Sequence, residues 1–145
     1  MHGRLLAALL PLVLVAPAWA TTADPTPRSA MAEWTPSAWA DENTVDLRTT
    51  EPGSEPHWFP VWLAVVDGQL YVRLGSRAAA RFDGNATKPI VGVRIAGKTF
   101  ERVRGVLAPE MTDRVTAVMR DKYWLQGDII VRHLNHPYTL RLEPE

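Results

Sequence analysis

The chain has 145 residues, of which 46% are hydrophobic and 22% charged, and it contains no cysteine. Its 16 Lys and Arg residues balance 16 Asp and Glu residues, so the formal net charge at pH 7 is zero. This composition excludes a disulfide-stabilised scaffold, and it lacks the dense basic surface that nucleic-acid binding requires.

The first 20 residues have the pattern of a Sec-type signal peptide. Arg4 supplies a positive n-region, residues 5–15 are apolar, and Ala18-Trp19-Ala20 matches the small-x-small cleavage pattern. The apolar run is shorter than the roughly 20 residues that span a bilayer. We therefore expect cleavage after Ala20, export to the periplasm or the medium, and no stable membrane insertion afterwards. An uncleaved membrane anchor is the alternative.

Residues 21–43 are predicted to form a linker. Residues 21–29 are polar with two prolines, whereas residues 30–40 contain Trp34 and Trp39 around Pro36. Exposed tryptophans are unfavourable, so we expect a short helical turn that docks them on the domain. Residues 21–56 carry 2 basic and 7 acidic side chains, and residues 57–145 carry 13 basic and 9 acidic ones. The mildly basic body suits a small anionic ligand.

Residues 44–145 read as a single domain of short strands joined by tight turns. Asp67-Gly68 and Ala96-Gly97 are two-residue hairpin turns, and residues 58–66 are apolar enough for a strand covered on both faces. Further strands are predicted at 44–49, 69–74, 89–95, 98–107 and 138–142, with helices at 76–82 and from Pro109 onward. Hairpins dominate this order, which predicts a mainly β (α+β) fold: an antiparallel barrel of about six strands with two helices.

The start of the first helix is a candidate anion site. With Ser76 as its N-cap, the helix would present free N–H groups and a partial positive charge to an anion. Arg77 and Arg81 are four residues apart and lie on one helical face, and Arg94 would join them from a neighbouring strand. A surface helix with solvated arginines is the alternative.

Several short strings, in this order, resemble the split β-barrel flavin-binding superfamily. Within it, the similarity is to the pyridoxamine-phosphate-oxidase-like and deazaflavin-dependent nitroreductase branch, over about residues 44–145. The strings are Leu47-Arg48-Thr49-Thr50, Pro60-Val61-Trp62, Val65-Val66-Asp67-Gly68, Leu70-Tyr71-Val72-Arg73, Gly75-Ser76-Arg77, Val91-Gly92-Val93-Arg94, Arg120-Asp121-Lys122-Tyr123 and Arg141-Leu142-Glu143-Pro144.

The resemblance implies a homodimer with a flavin at the interface. It implies that the flavin phosphate is held by Ser76, Arg77 and Arg81, with Arg73 on the preceding strand. FMN is the leading cofactor, ahead of deazaflavin and haem, and any oxidoreductase chemistry would be hydride or electron transfer by the cofactor. The candidates to line the ring pocket are aromatic, with core packing as the alternative role: Trp62, Tyr71 and Tyr123.

One departure from the superfamily pattern favours a different function. The turn after the first strand carries Glu51 and Glu55 where the nitroreductase branch has Gly, Ser and basic residues. Carboxylates near a phosphate weaken its binding, which counts against deazaflavin in particular. The competing hypothesis is therefore a periplasmic binding or structural module on the same fold that holds no cofactor.

Other motifs give weaker evidence of a function. His133 and His136 with Asp128 resemble a metal set, but His136 precedes Pro137 and is expected to be extended, so we predict no metal site. His57, at the entry to the second strand, is a candidate axial ligand for haem. The sequence has no G-x-S-x-G string, no cysteine nucleophile and no P-loop.

Overall fold

The computed structural model describes residues 33–123 and 137–145. Within these ranges lie the α-helices α1 (Ser76–Asp83) and α2 (Thr112–Lys122), and 3₁₀ turns lie at Pro36–Trp39 and Pro109–Met111. The predicted mainly β fold with two helices is confirmed. The six strands are β1 (Thr44–Thr49), β2 (His57–Val66), β3 (Gln69–Leu74), β4 (Ile90–Ile95), β5 (Lys98–Leu107) and β6 (Tyr138–Pro144).

The strands form a closed antiparallel barrel in the order β1-β2-β3-β6-β5-β4, and β4 pairs back onto β1. The two predicted hairpin turns are present. Asp67 and Gly68 have φ of 50° and 72°, and Ala96 and Gly97 have φ of 49° and 75°. Two consecutive positive φ angles match the twist of the flanking strands, which explains why these short turns set the register.

Side chains fill the barrel interior. On each strand alternate residues point inward, and Val45, Leu63, Val72 and Leu140 are fully buried there. A six-stranded barrel is narrow enough for such side chains to occupy its whole interior. Any ligand must therefore bind on the outside of the barrel or at its rim.

Each end of the barrel is plugged. Trp39 enters one end from the first 3₁₀ turn, is 3% exposed, and meets Trp34 edge to face at 5.1 Å. At the other end α1 inserts Ala79 and Phe82, and Phe82 is 1% exposed. Among the described residues, no helix is both long and apolar enough to cross a membrane.

The outer surface of the barrel has one face that α2 covers and one uncovered face, on which Arg48, Trp58 and Gly92 lie. Helix α2 covers Ala64 and Val66 on β2 and Tyr71 on β3, and it buries Val115 and Met119 against them. The prediction that residues 58–66 are covered on both faces is wrong for the first half of this strand, since Pro60 is exposed there. The 11-residue helix α2 is too short to reach that half.

Candidate functional site

The start of α1 lies open to solvent. Gly75, with extended φ and ψ of −66° and 170°, is the N-cap. The prediction that Ser76 caps this helix is therefore wrong: β3 ends at Leu74, so the extended residue that precedes the helix is Gly75. Ser76 and Arg77 are exposed, the helix has no side-chain cap, and its first turn contains no acidic residue. The positive end of the helix is thus unopposed by its own side chains.

Arg81, one turn further along α1, lies in a different setting. Its guanidinium carbon is 5.8 Å from the centre of the Phe59 ring. It lines a hollow of about 200 Å³ together with Glu51, Glu55 and His57. The two carboxylates of the acidic turn therefore share a hollow with Arg81, so this arginine presents less positive charge to an anion than Arg77 does.

Arg73 lies on the outer face of β3 beneath α2. Its Nη1 donates to Thr116 Oγ1 at 2.7 Å. Burial lowers the pKa of Arg73, and the neighbouring Asp113 raises it. Because an arginine pKa begins so high, the side chain stays charged. This guanidinium ties the barrel wall to α2, and no sequence pattern pointed to Thr116 as its partner.

The predicted ring-lining residues also lie beneath α2. Trp62 stacks on Tyr123 with ring centres 4.6 Å apart and planes 16° apart, and Tyr71 is 4% exposed. The single Tyr123 O–H is shared between the carbonyl oxygens of Asn43, at 2.6 Å, and Leu63, at 3.1 Å. Burial raises the pKa of Tyr123. These aromatic rings fasten α2 to the barrel.

The structure therefore separates the predicted site residues into two groups. Ser76, Arg77 and Arg81 lie on α1, where Ser76 and Arg77 are exposed and Arg81 is half-buried. Trp62, Tyr71 and Arg73 lie on the outer wall that α2 covers.

Arg94 does not join the α1 group as predicted. It pairs with Asp46 at 2.8 Å on the uncovered outer face, and its guanidinium carbon is 4.6 Å from the centre of the Trp58 ring. The reason is register: Arg94 of β4 lies directly opposite Asp46 of β1. The sequence alone did not specify which strand β4 would pair with.

Arg48 and Trp58 also belong to this uncovered face, and no function was predicted for them. Trp58, Arg48 and Gly92 lie opposite one another across β2, β1 and β4. The Arg48 guanidinium carbon is 5.3 Å from the Trp58 ring centre, and its Nη2 is 2.5 Å from Glu101. The outward alternation of Asp46 and Arg48 along β1 was the one available signal.

A second hollow, of about 430 Å³, lies beside this row. Its lining includes Arg48, Thr50, Glu101 and Arg102. Asn85 also belongs to the lining, and its side-chain amide accepts from the Thr50 N–H at 3.0 Å and donates to the Ile90 carbonyl at 2.7 Å. This hollow falls within the roughly 300–1,000 Å³ range of small-molecule sites, and the one beside Arg81 does not.

Some predictions concern residues outside the described ranges. The signal peptide at residues 1–20 is among them, and so are Asp128, His133 and His136. Within residues 33–123 and 137–145, no three His, Cys, Asp or Glu side chains are grouped in a way that could hold a metal ion.

No protein-family model matches this sequence, and no curated protein matches it. Solved structures do. HutZ, the heme storage protein from Vibrio cholerae, matches with a TM-score of 0.55 and 17% identity over 75% of this chain and 87% of that chain. A second structure matches with a TM-score of 0.51 and 21% identity over 82% and 83% of the two chains. An F420-H2 dependent reductase, FDR-A, matches with a TM-score of 0.48 and 13% identity over 70% and 95%. The two matches with TM-scores above 0.5 concern the fold alone at these identities, and together with the closed six-stranded barrel they confirm the predicted split-barrel fold.

Proposed function

We propose that this chain is an exported split-barrel protein that binds FMN or a similar anionic, planar cofactor. The observation that carries the proposal is the open start of α1, where exposed Ser76 and Arg77 accompany an uncapped helix end that lacks acidic residues. Such an end offers backbone N–H donors, a hydroxyl and a guanidinium to one phosphate group. Export is proposed from the signal-peptide pattern of residues 1–20.

The residues of the two predicted groups would have different roles. Ser76 and Arg77 would hold the phosphate, while Arg81 would contribute less because Glu51 and Glu55 share its hollow. Trp62, Tyr71 and Arg73 would keep β2, β3 and α2 rigid beside the bound ring rather than grip it. A bound flavin would supply hydride or electron transfer, and the protein would supply binding and orientation.

We also propose that the protein is a homodimer. The α1 start is exposed in the single chain, so a ring anchored there by its phosphate would be covered on one side at most. Ligand sites bury most of the ligand surface, which a second copy would complete. Light scattering coupled to size-exclusion chromatography tests this: twice the chain mass is expected, and a monomer both with and without FMN would refute the dimer.

The site assignment is tested by titrating protein into FMN and following flavin fluorescence. Arg77→Gln should weaken FMN binding by about tenfold or more, because it removes a charge-assisted hydrogen bond. Arg114→Gln is the matched control, since Arg114 is an exposed arginine whose partner is Asp67 on the β2–β3 turn. Equal affinity in the Arg77 variant and the control would show that α1 does not hold the phosphate.

A haem-binding function is the second candidate, and it is favoured by the exposed imidazole of His57. This side chain shares the smaller hollow with Arg81, and its ring stacks on Phe59 at 6.1 Å. The neighbour HutZ is a heme storage protein. Haem titration followed by the Soret band should give saturation in the original protein and loss of the band in His57→Ala. If the folded protein binds neither FMN nor haem, the remaining hypothesis is a binding or structural module without a cofactor. The filled barrel interior and the acidic turn with Glu51 and Glu55 favour that hypothesis.

A further inference from the structure

We propose that the hollow between β1, β4 and β5, hereafter the Arg48 hollow, binds a small organic anion that carries a carboxylate or phosphate group. Arg48 and Arg102 would hold the anionic group, and the hydroxyl of Thr50 would contact it from the wall. The proposal does not depend on the α1 site.

Charge in and beside the hollow favours an anion. Arg48 is paired with Glu101 at 2.5 Å. Arg102 shares a single carboxylate, Glu145, with Arg104. The lining of the hollow itself holds two guanidiniums, Arg48 and Arg102, and one carboxylate, Glu101. An anion entering the hollow would be attracted, whereas a cation would meet the arginines.

Arg48 is held in place before any ligand arrives. Its guanidinium packs on Trp58, and its side chain crosses β4 over Gly92. A Cβ at position 92 would lie 2.9 Å from Arg48 Nε, closer than real Cβ contacts, and 3.0–3.1 Å from two further Arg48 atoms. Glycine at this position therefore lets the arginine lie flat along the hollow. Preorganisation of this kind reduces the entropic cost of binding.

Glu101 sets the affinity. Its side chain is 65% exposed, whereas that of Arg48 is 28% exposed, so the carboxylate is the more solvent-accessible member of the pair. A ligand anion would replace Glu101 as the partner of Arg48. The ion pair therefore acts as a built-in competitor, and removing the carboxylate should strengthen binding.

The experiment is a titration of ¹⁵N-labelled protein with two probes, inorganic phosphate and succinate, followed by amide chemical shifts. Saturable shifts at Thr50 and Gly92 are expected with at least one probe. Phosphate alone would identify a phosphate-ester ligand, and succinate alone a carboxylate ligand. The amides of Ser76 and Arg77 report the α1 site in the same spectra, so failure of one site is distinguishable from failure of the other. No saturable shift at Thr50 or Gly92 with either probe would overturn the proposal.

Three variants and a control sharpen the result. Arg48→Gln and Arg102→Gln should each weaken anion binding about tenfold. Because the Arg102 side chain is 66% exposed, its replacement should not disturb folding, so a loss of binding in that variant is not explained by misfolding. Glu101→Gln should strengthen binding by about threefold, because the competing charge is gone. Arg114→Gln should change nothing. If the Arg48–Glu101 pair were only structural, Glu101→Gln would not increase the affinity for the anion. Unchanged or weaker binding in Glu101→Gln would contradict the proposal.

Discussion

Strand β2 carries two tryptophans on its outer face, and their surroundings differ. Trp62 is covered by α2 and stacks on Tyr123 at 4.6 Å. Trp58, four residues earlier, lies beyond the reach of α2 and is flanked by Arg48 and Arg94 at 5.3 Å and 4.6 Å. The covered half of the barrel wall uses its aromatic residues to hold a helix, and the open half uses its aromatic residue to position charges. Binding chemistry is therefore expected on the open surfaces, and stability on the covered one.

Replacing the two tryptophans in turn should give the largest contrast. Trp62→Ala should lower the free energy of unfolding by about 2–4 kcal/mol, because it removes packing under α2 and the stacked ring. Trp58→Ala should lower it by about 1 kcal/mol, since that ring has no stacked aromatic partner among the described residues and loses mainly its contacts with Arg48 and Arg94. Urea denaturation measures both values. Equal losses would show that the two faces do not differ as described.

A methyl group at position 92 should disturb the open face specifically. Gly92→Ala places a Cβ within 2.9–3.1 Å of Arg48, so that side chain must lift away. We expect a loss of about 1 kcal/mol, at the low end for overpacking, because Arg48 can swing into solvent. Thermal unfolding gives the loss, and the Trp58 fluorescence should change as the guanidinium leaves the ring. An unaltered fluorescence spectrum would argue against the placement of the Arg48 side chain over Gly92.

Loss of the Thr116 hydroxyl should affect the covered face alone. Thr116→Val leaves the Nη1 of Arg73 without the acceptor it has at 2.7 Å and should cost about 1–2 kcal/mol of stability. Thr116→Ser keeps a hydroxyl and serves as the control. FMN affinity should be unchanged in both variants, and a selective loss of affinity in Thr116→Val would make Arg73 a direct ligand contact.

The smallest effect is expected at the exposed pair between Asp67 and Arg114. A hydrogen bond from Arg114 lowers the pKa of Asp67, so this pair adds stability above the unfolded-state pKa of about 4 that is lost as pH falls through the folded-state value. Asp67→Asn keeps an Asn-Gly turn and removes only the charge. The acid limb of its stability profile should be slightly flatter than that of the original protein. A steeper limb would reverse the sign of the assignment.

The fold was largely predictable because its signals are local. The turns at Asp67-Gly68 and Ala96-Gly97 and the alternation along the strands place the strand boundaries to within two residues. The site was less predictable because it depends on contacts between distant segments. How far α2 reaches along β2 decides whether Trp62 or Trp58 is covered, and strand pairing decides that Arg94 meets Asp46 rather than Arg77. Neither is encoded in a short window of sequence.

The most direct test of the central claim is an absorbance spectrum of the purified protein after incubation with FMN and removal of free flavin by desalting. The account predicts a retained flavin spectrum of about one FMN per chain, lost in Arg77→Gln. A folded protein that is colourless after desalting would contradict FMN binding. Haem binding and anion binding in the Arg48 hollow would then be the functions to test.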